Sequence, residues 1–286
     1  MPLMQPEGLI HGHYECKSLD RSLPIFTDLL ACNVTGREGA TAFVQHPNTA
    51  WTIIVHEAGA DAPEKPHGNH YGFRVADHKE VEAAYAYISE HQEEYQLREV
   101  REPAGGHFAY SIYLDEPGGN TLELEYYNVK AAQRGRQIAA GHWDTPLPES
   151  AFPGRGYVPQ ALSHGTAQTD NKELSNAFYT EVLGLSIVGG GNFSTYIGHP
   201  DTPWYVVVLP ATERHYLRPV NRYALKLESV DAVRTAYDKL AKLDAGVTKL
   251  GDLSEADGEA HFIFSDLDYN WWEFTSTEEP NRSPDA

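Results

Sequence analysis

Two histidines and a glutamate in the first half of this chain have the types and placing of a metal site. They are His13, His70 and Glu123, each inside a short segment that alternates apolar and polar residues like a strand. Two imidazoles and one carboxylate on one face leave three positions of an octahedral ion open. That is the usual cage for a non-haem Fe(II) that must hold a substrate and dioxygen together, and Mn(II) accepts the same donors. Side chains on a strand alternate with period two, so His11 shares a face with His13, and Glu125 with Glu123.

The second half of the chain supplies a comparison. Gly12-His13-Tyr14-Glu15 recurs as Ser163-His164-Gly165-Thr166, Asn69-His70-Tyr71 as Asn221-Arg222-Tyr223, and Asn120 to Leu124 as Asn270 to Phe274. The shifts are 151, 152 and 150 residues, so a duplication runs along nearly the whole chain. The first copy reads His, His, Glu and the second His, Arg, Glu. A guanidinium is always protonated and repels a cation, so the second copy is expected to be a structural relic, with His164 and Glu273 held by packing or by a salt bridge to Arg222.

The elements that must position these residues also repeat. Residues 10–16 read as a strand and Leu19 to Leu30 as a helix capped by Asp20; Thr41 to Gln45 and Trp51 to Glu57 read as strands around the turn His46-Pro47-Asn48-Thr49. His70 to Val75, a helix over Lys79 to Glu90, and the strands Gln96 to Val100, Phe108 to Leu114 and Thr121 to Tyr127 repeat that plan. In the second half, His199 to Trp204 copies His46 to Trp51, and a helix over Val230 to Leu243 copies the one from Lys79. The boundaries expected are an N-terminal metal-binding domain over 1–135, a Gly- and Pro-rich linker over 136–160, a C-terminal domain over 161–276 and a disordered tail over 277–286.

Composition narrows the function. A formal charge of −19 argues against a nucleic-acid partner, and no apolar run reaches the length of a membrane span. Two cysteines, Cys16 and Cys32, make no disulfide framework, and the N-terminus lacks signal-peptide blocks, so a cytoplasmic location is expected.

Four strand-helix-three-strand modules in two pairs resemble the vicinal oxygen chelate superfamily, which includes glyoxalase I, fosfomycin- and bleomycin-resistance proteins and extradiol dioxygenases. The resemblance covers residues 10–127 and 161–276. It implies an α+β fold of two tandem domains, each a pair of βαβββ modules forming a cupped, incomplete barrel around a metal. In that family the ligand histidine stands seven residues before a helix-capping Asp or Asn, and the ligand glutamate four after a turn glycine. His13 with Asp20, and Glu123 with Gly119, fit that pattern, which leaves His11 and Glu125 as bland neighbours. Modules in some members pair differently, which would put His164 in place of His13; the long linker favours two self-contained halves.

The segment Gly105 to Glu123 is similar to the signature of extradiol dioxygenases, with a gap after His107 one residue shorter than usual. The resemblance implies ring cleavage of a catechol-type diol with insertion of both atoms of dioxygen. His107 would be the acid-base group, Tyr113 a hydrogen-bond donor to a substrate oxygen, and His56 a second histidine near dioxygen. The matched positions in the copy are Glu259-Ala260-His261 and Phe264, and His56 is matched by Leu209. Edge strands of such barrels often pair between subunits, so a homo-oligomer is expected. A glyoxalase-like isomerase or lyase at the same triad, and a protein sequestering an aromatic drug, are the rival readings.

Overall fold

The computed structural model describes residues 1–65, 68–106, 109–127, 145–202, 204–211 and 216–280. Four modules follow one another. The first is β1 (Gly8–Cys16), α1 (Leu19–Pro24), β2 (Asn33–Glu38), β3 (Thr41–Gln45) and β4 (Thr52–Glu57). The second is β5 (His70–Arg74), α2 (His78–Glu90), β6 (Glu99–Val100), β7 (Ala104–Gly106), β8 (Ala109–Asp115) and β9 (Thr121–Tyr127). The third is β10 (Ala161–Thr169), α3 (Lys172–Ala177), β11 (Ser186–Gly190), β12 (Thr195–Gly198) and β13 (Tyr205–Pro210). The fourth is β14 (Arg222–Lys226), α4 (Val230–Leu240), β15 (Val247–Leu250), β16 (Ser254–Ala256), β17 (Glu259–Asp266) and β18 (Trp271–Thr275).

The mixed α+β architecture of two paired βαβββ units is therefore present, but the pairs are not the two halves. One nine-stranded sheet runs β15-β17-β18-β14-β1-β4-β3-β2 with β16 also paired to β17, and the other β11-β12-β13-β10-β5-β9-β8-β6 with β7 also paired to β8. Each sheet thus joins one module from each half through an antiparallel seam, β1 with β14 and β10 with β5. The expectation of self-contained halves leaned on linker length, and linker length is a weak guide: closing a loop twice as long costs only about 0.6 kcal/mol more. Part of the expected linker is itself packed. Phe152, Tyr157 and Val158 are buried, and Tyr157 donates to the Leu29 carbonyl at 3.1 Å.

The sheets meet on a shared aromatic core. Trp51 and Trp204 stack with centroids 3.5 Å apart. Tyr71 donates across to the His13 carbonyl and Tyr223 to the Thr166 carbonyl. The twin turn histidines also act alike: His46 Nε2 lies 3.0 Å from the Pro159 carbonyl, and His199 Nε2 3.0 Å from that of Pro6. Both tie a turn to the segment entering the neighbouring first strand, as expected of turn structure.

α1 is shorter than its periodicity suggested. It ends at Pro24, and a π-helical turn carries the chain over Ile25–Leu29, just as one over Phe178–Val182 follows the proline-free α3. Its N-cap is Ser18, not Asp20, and the Glu57 carboxylate accepts from the Leu19 N–H at 2.7 Å.

A buried acid organises the turn before β9 and the matching turn before β18. Glu116 accepts from Ser22 and from the Gly118 and Asn120 N–H groups. Asp266 accepts from the Asp268 and Asn270 N–H groups, the Asn270 amide, Tyr179 and Trp272. Burial outweighs those donors and pushes Asp266 up to about 6. An unfolded aspartate titrates near 3.9. The folded chain therefore takes up this proton first as pH falls, and the group favours folding progressively from pH 6 down to 4. Urea melts are expected to show about 1 kcal/mol of gain between pH 7 and pH 5 from this group, and Asp266→Asn to remove it. An unchanged difference between the two pH values in the variant would contradict the assignment.

Candidate metal centre

His70 on β5, Glu123 on β9 and His164 on β10 bring their ligand atoms together, all within 4.8 Å of one another and all buried. His70 Nε2 and His164 Nε2 each lie 3.2 Å from Glu123 Oε2, and 3.4 Å from each other. Adjacent ligands about 2.1 Å from an ion and at right angles would be about 3.0 Å apart, so the donor triangle is close to one face of an octahedron.

Register explains the convergence. Across the sheet, Tyr205, His164, Gly72, Glu123 and Tyr113 stand opposite one another in a single row. Residues opposite one another across a sheet share a face, and Gly72 in the middle has no side chain to separate its neighbours. A Cβ at Gly72 would lie 2.1 Å from His164 Cε1 and 2.5 Å from its Nδ1. His70, two residues before Gly72, points to the same face.

The outer nitrogen of His164 is also held. Its Nδ1 faces Ser163 Oγ at 2.9 Å and Glu125 Oε1 at 3.2 Å, so the ring proton belongs on that side and the Nε2 lone pair faces the triad. Glu125 is ion-paired with Arg74, whose guanidinium also donates to Tyr205 at 2.5 Å. Burial alone would lower the His164 pKa, but Glu125 and Glu123 hold it up at about 9. The site favours positive charge at that position, and two imidazoles with one carboxylate fit a divalent cation. Glu125 is thus no bland neighbour.

His13, expected as the third ligand, stands in the other sheet. Its Nδ1 lies 3.0 Å from His56 Nε2, and its Nε2 lies 3.9 Å from Glu273. The row there reads Thr52, His11, Ala224, Glu273 and Ile263. His11 is therefore the structural counterpart of His164, with a shift of 153 rather than 151. Arg222, in place of His70, pairs with Glu273 at 2.5 Å, whereas His164, expected as a relic of the second copy, is a member of the triad. Burial and the Arg222 charge push His11 down to about 3 and His56 to about 4, and hold His13 well below its usual value.

His56, expected beside dioxygen, belongs to this second cluster, with Thr41 Oγ1 3.3 Å from its Nδ1. Tyr113 does reach the triad. Its ring centroid is 5.3 Å from that of His70, its hydroxyl hydrogen-bonds Glu123, and burial and that carboxylate keep it protonated. Its counterpart is Ile263, not Phe264. His107 lies outside the described residues.

A cavity of about 320 Å³ opens on the triad, lined also by Tyr113, Glu125, Tyr196, Tyr205, Val207 and Leu209. Sequence reasoning missed Gly72, Ser163 and Tyr205. A glycine inside a strand was the one visible signal, since it often marks close approach.

The family described as the Glyoxalase/Bleomycin resistance protein/Dioxygenase superfamily matches residues 11–124 and 161–274. No curated protein sequence matches significantly. Among solved structures, glyoxalase I from Zea mays superimposes with a TM-score of 0.61 at 16% identity, over 94% of this chain and 92% of that one. A Bacillus subtilis protein titled "putative dioxygenase" superimposes with a TM-score of 0.60 at 11% identity, over 97% of this chain and 87% of that one. At these identities the likeness is one of fold.

Proposed function

The chain belongs to the glyoxalase/bleomycin resistance protein/dioxygenase superfamily, and we propose that it is a metal-dependent extradiol dioxygenase acting on a catechol-type diol. The carrying observation is the buried His70, Glu123 and His164 triad, open on one side to the cavity and flanked by Tyr113. Fe(II) held by these three residues would offer open positions for both diol oxygens and for dioxygen. Mn(II) suits the same donors.

The protein's own groups do the rest. Glu125 and Ser163 fix the orientation of His164, and Gly72 gives it room. Tyr113, kept protonated, would turn its single donor from Glu123 to a substrate oxygen on which charge develops. His107, next to the cavity-lining Gly106, keeps its assignment as acid-base group within this proposal. Removing the Tyr113 donor by Tyr113→Phe is expected to lower turnover about 100-fold while one metal per chain is retained. Metal loss in that variant would show a structural role instead.

Among the described residues no helix is long and apolar enough to cross a membrane. A cytoplasmic location and self-association through exposed edge strands such as β2 belong to the same proposal. Sedimentation of the purified chain tests the latter, and a monomer at micromolar concentration removes it.

The deciding experiment is anaerobic reconstitution with Fe(II), followed by oxygen uptake on adding catechols. Stoichiometric uptake with ring opening supports the proposal. No uptake with any diol, together with isomerisation of a hemithioacetal, would replace it with the glyoxalase-type reaction.

A further inference from the structure

The cavity beyond the triad has a chemistry of its own. One wall is a column of rings: His164 stacks on Tyr205 at 5.5 Å, and Tyr205 on Tyr196 at 5.2 Å, with interplanar angles of 15° and 16°. Val207 and Leu209 continue that wall along β13, and Phe193, half exposed, stands at the mouth. The cavity is also lined by Ala104, Gly105 and Gly106 of β7, which has no bulky side chain. A Cβ at Gly106 would meet nothing within 4 Å, so this ribbon offers bare backbone to a flat ligand.

Charge is distributed unevenly. The charged side chains lining the cavity among the described residues are the carboxylates Glu123 and Glu125, beside the ligand histidines at its inner end; no described Lys or Arg lines it. Arg74, the cation behind Glu125, is engaged by that carboxylate and by Tyr205. Among the described residues the outer cavity therefore offers no charged partner to a carboxylate on the substrate body, and burying an unpaired carboxylate there is costly. Size points the same way. About 320 Å³ equals roughly ten waters by liquid volume and falls in the range that takes drug-sized ligands, more room than one ring with two hydroxyls fills.

We propose that the substrate is a diol whose body is uncharged and extends beyond one ring, a fused or linked bicyclic aromatic, seated between the Tyr196–Tyr205 column and the glycine ribbon. This rests on the dioxygenase reading, and Leu209 becomes a specificity-determining residue. The contrast within the chain fits: the counterpart of Leu209 is His56, in the cluster that has lost its triad.

The test is oxygen uptake by the Fe(II)-reconstituted full chain with catechol, 3,4-dihydroxybenzoate, 2,3-dihydroxybiphenyl and 1,2-dihydroxynaphthalene. The expected kcat/KM for a two-ring diol exceeds that for catechol by at least about 10-fold, and that for the benzoate by about 100-fold. Leu209→Trp, which fills the wall, should lower the ratio of two-ring diol to catechol kcat/KM by at least about 10-fold. Equal or better use of the benzoate, or a Leu209→Trp chain with unchanged selectivity, overturns the inference. If no diol consumes oxygen, the dioxygenase reading fails separately. Binding of the same four diols to the Zn(II)-loaded chain, followed by tyrosine fluorescence, then decides the pocket: tighter binding of the two-ring diols supports it, and equal affinities overturn it.

Discussion

Gly72→Ala is expected to abolish stoichiometric metal binding although every ligand stays in the sequence. The added Cβ would sit 2.1 Å from His164 Cε1, far inside contact distance. Both strands are held in register by their ladder, so the imidazole must move rather than the backbone. Displacing a supporting group in a metal site typically costs about 10- to 100-fold in affinity, and displacing a ligand costs at least the upper figure. His164→Ala should match this loss. His13→Ala should keep one metal per chain, because His13 lies beside His56 and Glu273 in the other sheet. Metal analysis after dialysis reads all three variants, with circular dichroism as the check on folding. A Gly72→Ala chain with unchanged affinity, or a His13→Ala chain that loses its metal, would refute the assigned triad.

The second expected result is a gain. Arg222→His combined with Ala224→Gly should raise the metal content from one to two per chain. The second sheet already holds a buried histidine and glutamate in the required row, and His11 Nε2 and Glu273 Oε1 are buried without a hydrogen-bond partner. Two features separate this row from a site: a fixed positive charge at Arg222, and a methyl group at Ala224 where its counterpart has none. Each substitution alone should leave one metal per chain. Arg222→His keeps the obstruction, and Ala224→Gly keeps the guanidinium, which repels a cation. A double variant that folds and still binds one metal would show that the second row lacks something other than these two groups.

Much of this was legible from residue order, and the misreadings have physical causes. The βαβββ plan follows from periodicity, and Glu123 and Tyr113, which the structure brings together with His70, lie on strands that a tight turn pins. Glu116 and the positive φ of Gly119 fix where β9 begins, so Glu123 and its neighbour across the ladder have one register. β1 has no such pin. A slip of one residue would exchange buried and exposed faces, but a slip of two restores them and leaves the apolar pattern intact. His13 was therefore matched to His164 where His11 belongs. The better ruler was the turn pair His46–Trp51 and His199–Trp204, whose shift is 153, the same as from Ser18 to Asn171, the observed helix caps. Pairing of modules could not be read at all, because it depends on which sheet edges meet in three dimensions. His56 was misplaced for that reason: it was assigned to the site of its own half, and β4 lies in the opposite sheet.

The seam between β5 and β10 also sets an order of events during synthesis. His70 and Glu123 leave the ribosome well before His164, which follows 41 residues after the glutamate. Until β10 docks, the early pair offers a cation two donors without the third, so a partly made chain cannot trap metal tightly. Metal capture by the triad would then report that the two halves have found each other, and a chain truncated before Ala161 would carry no such mark. Co-expressed fragments broken between 127 and 145 would regain tight binding only as they associate, which makes bound metal a direct measure of correct assembly.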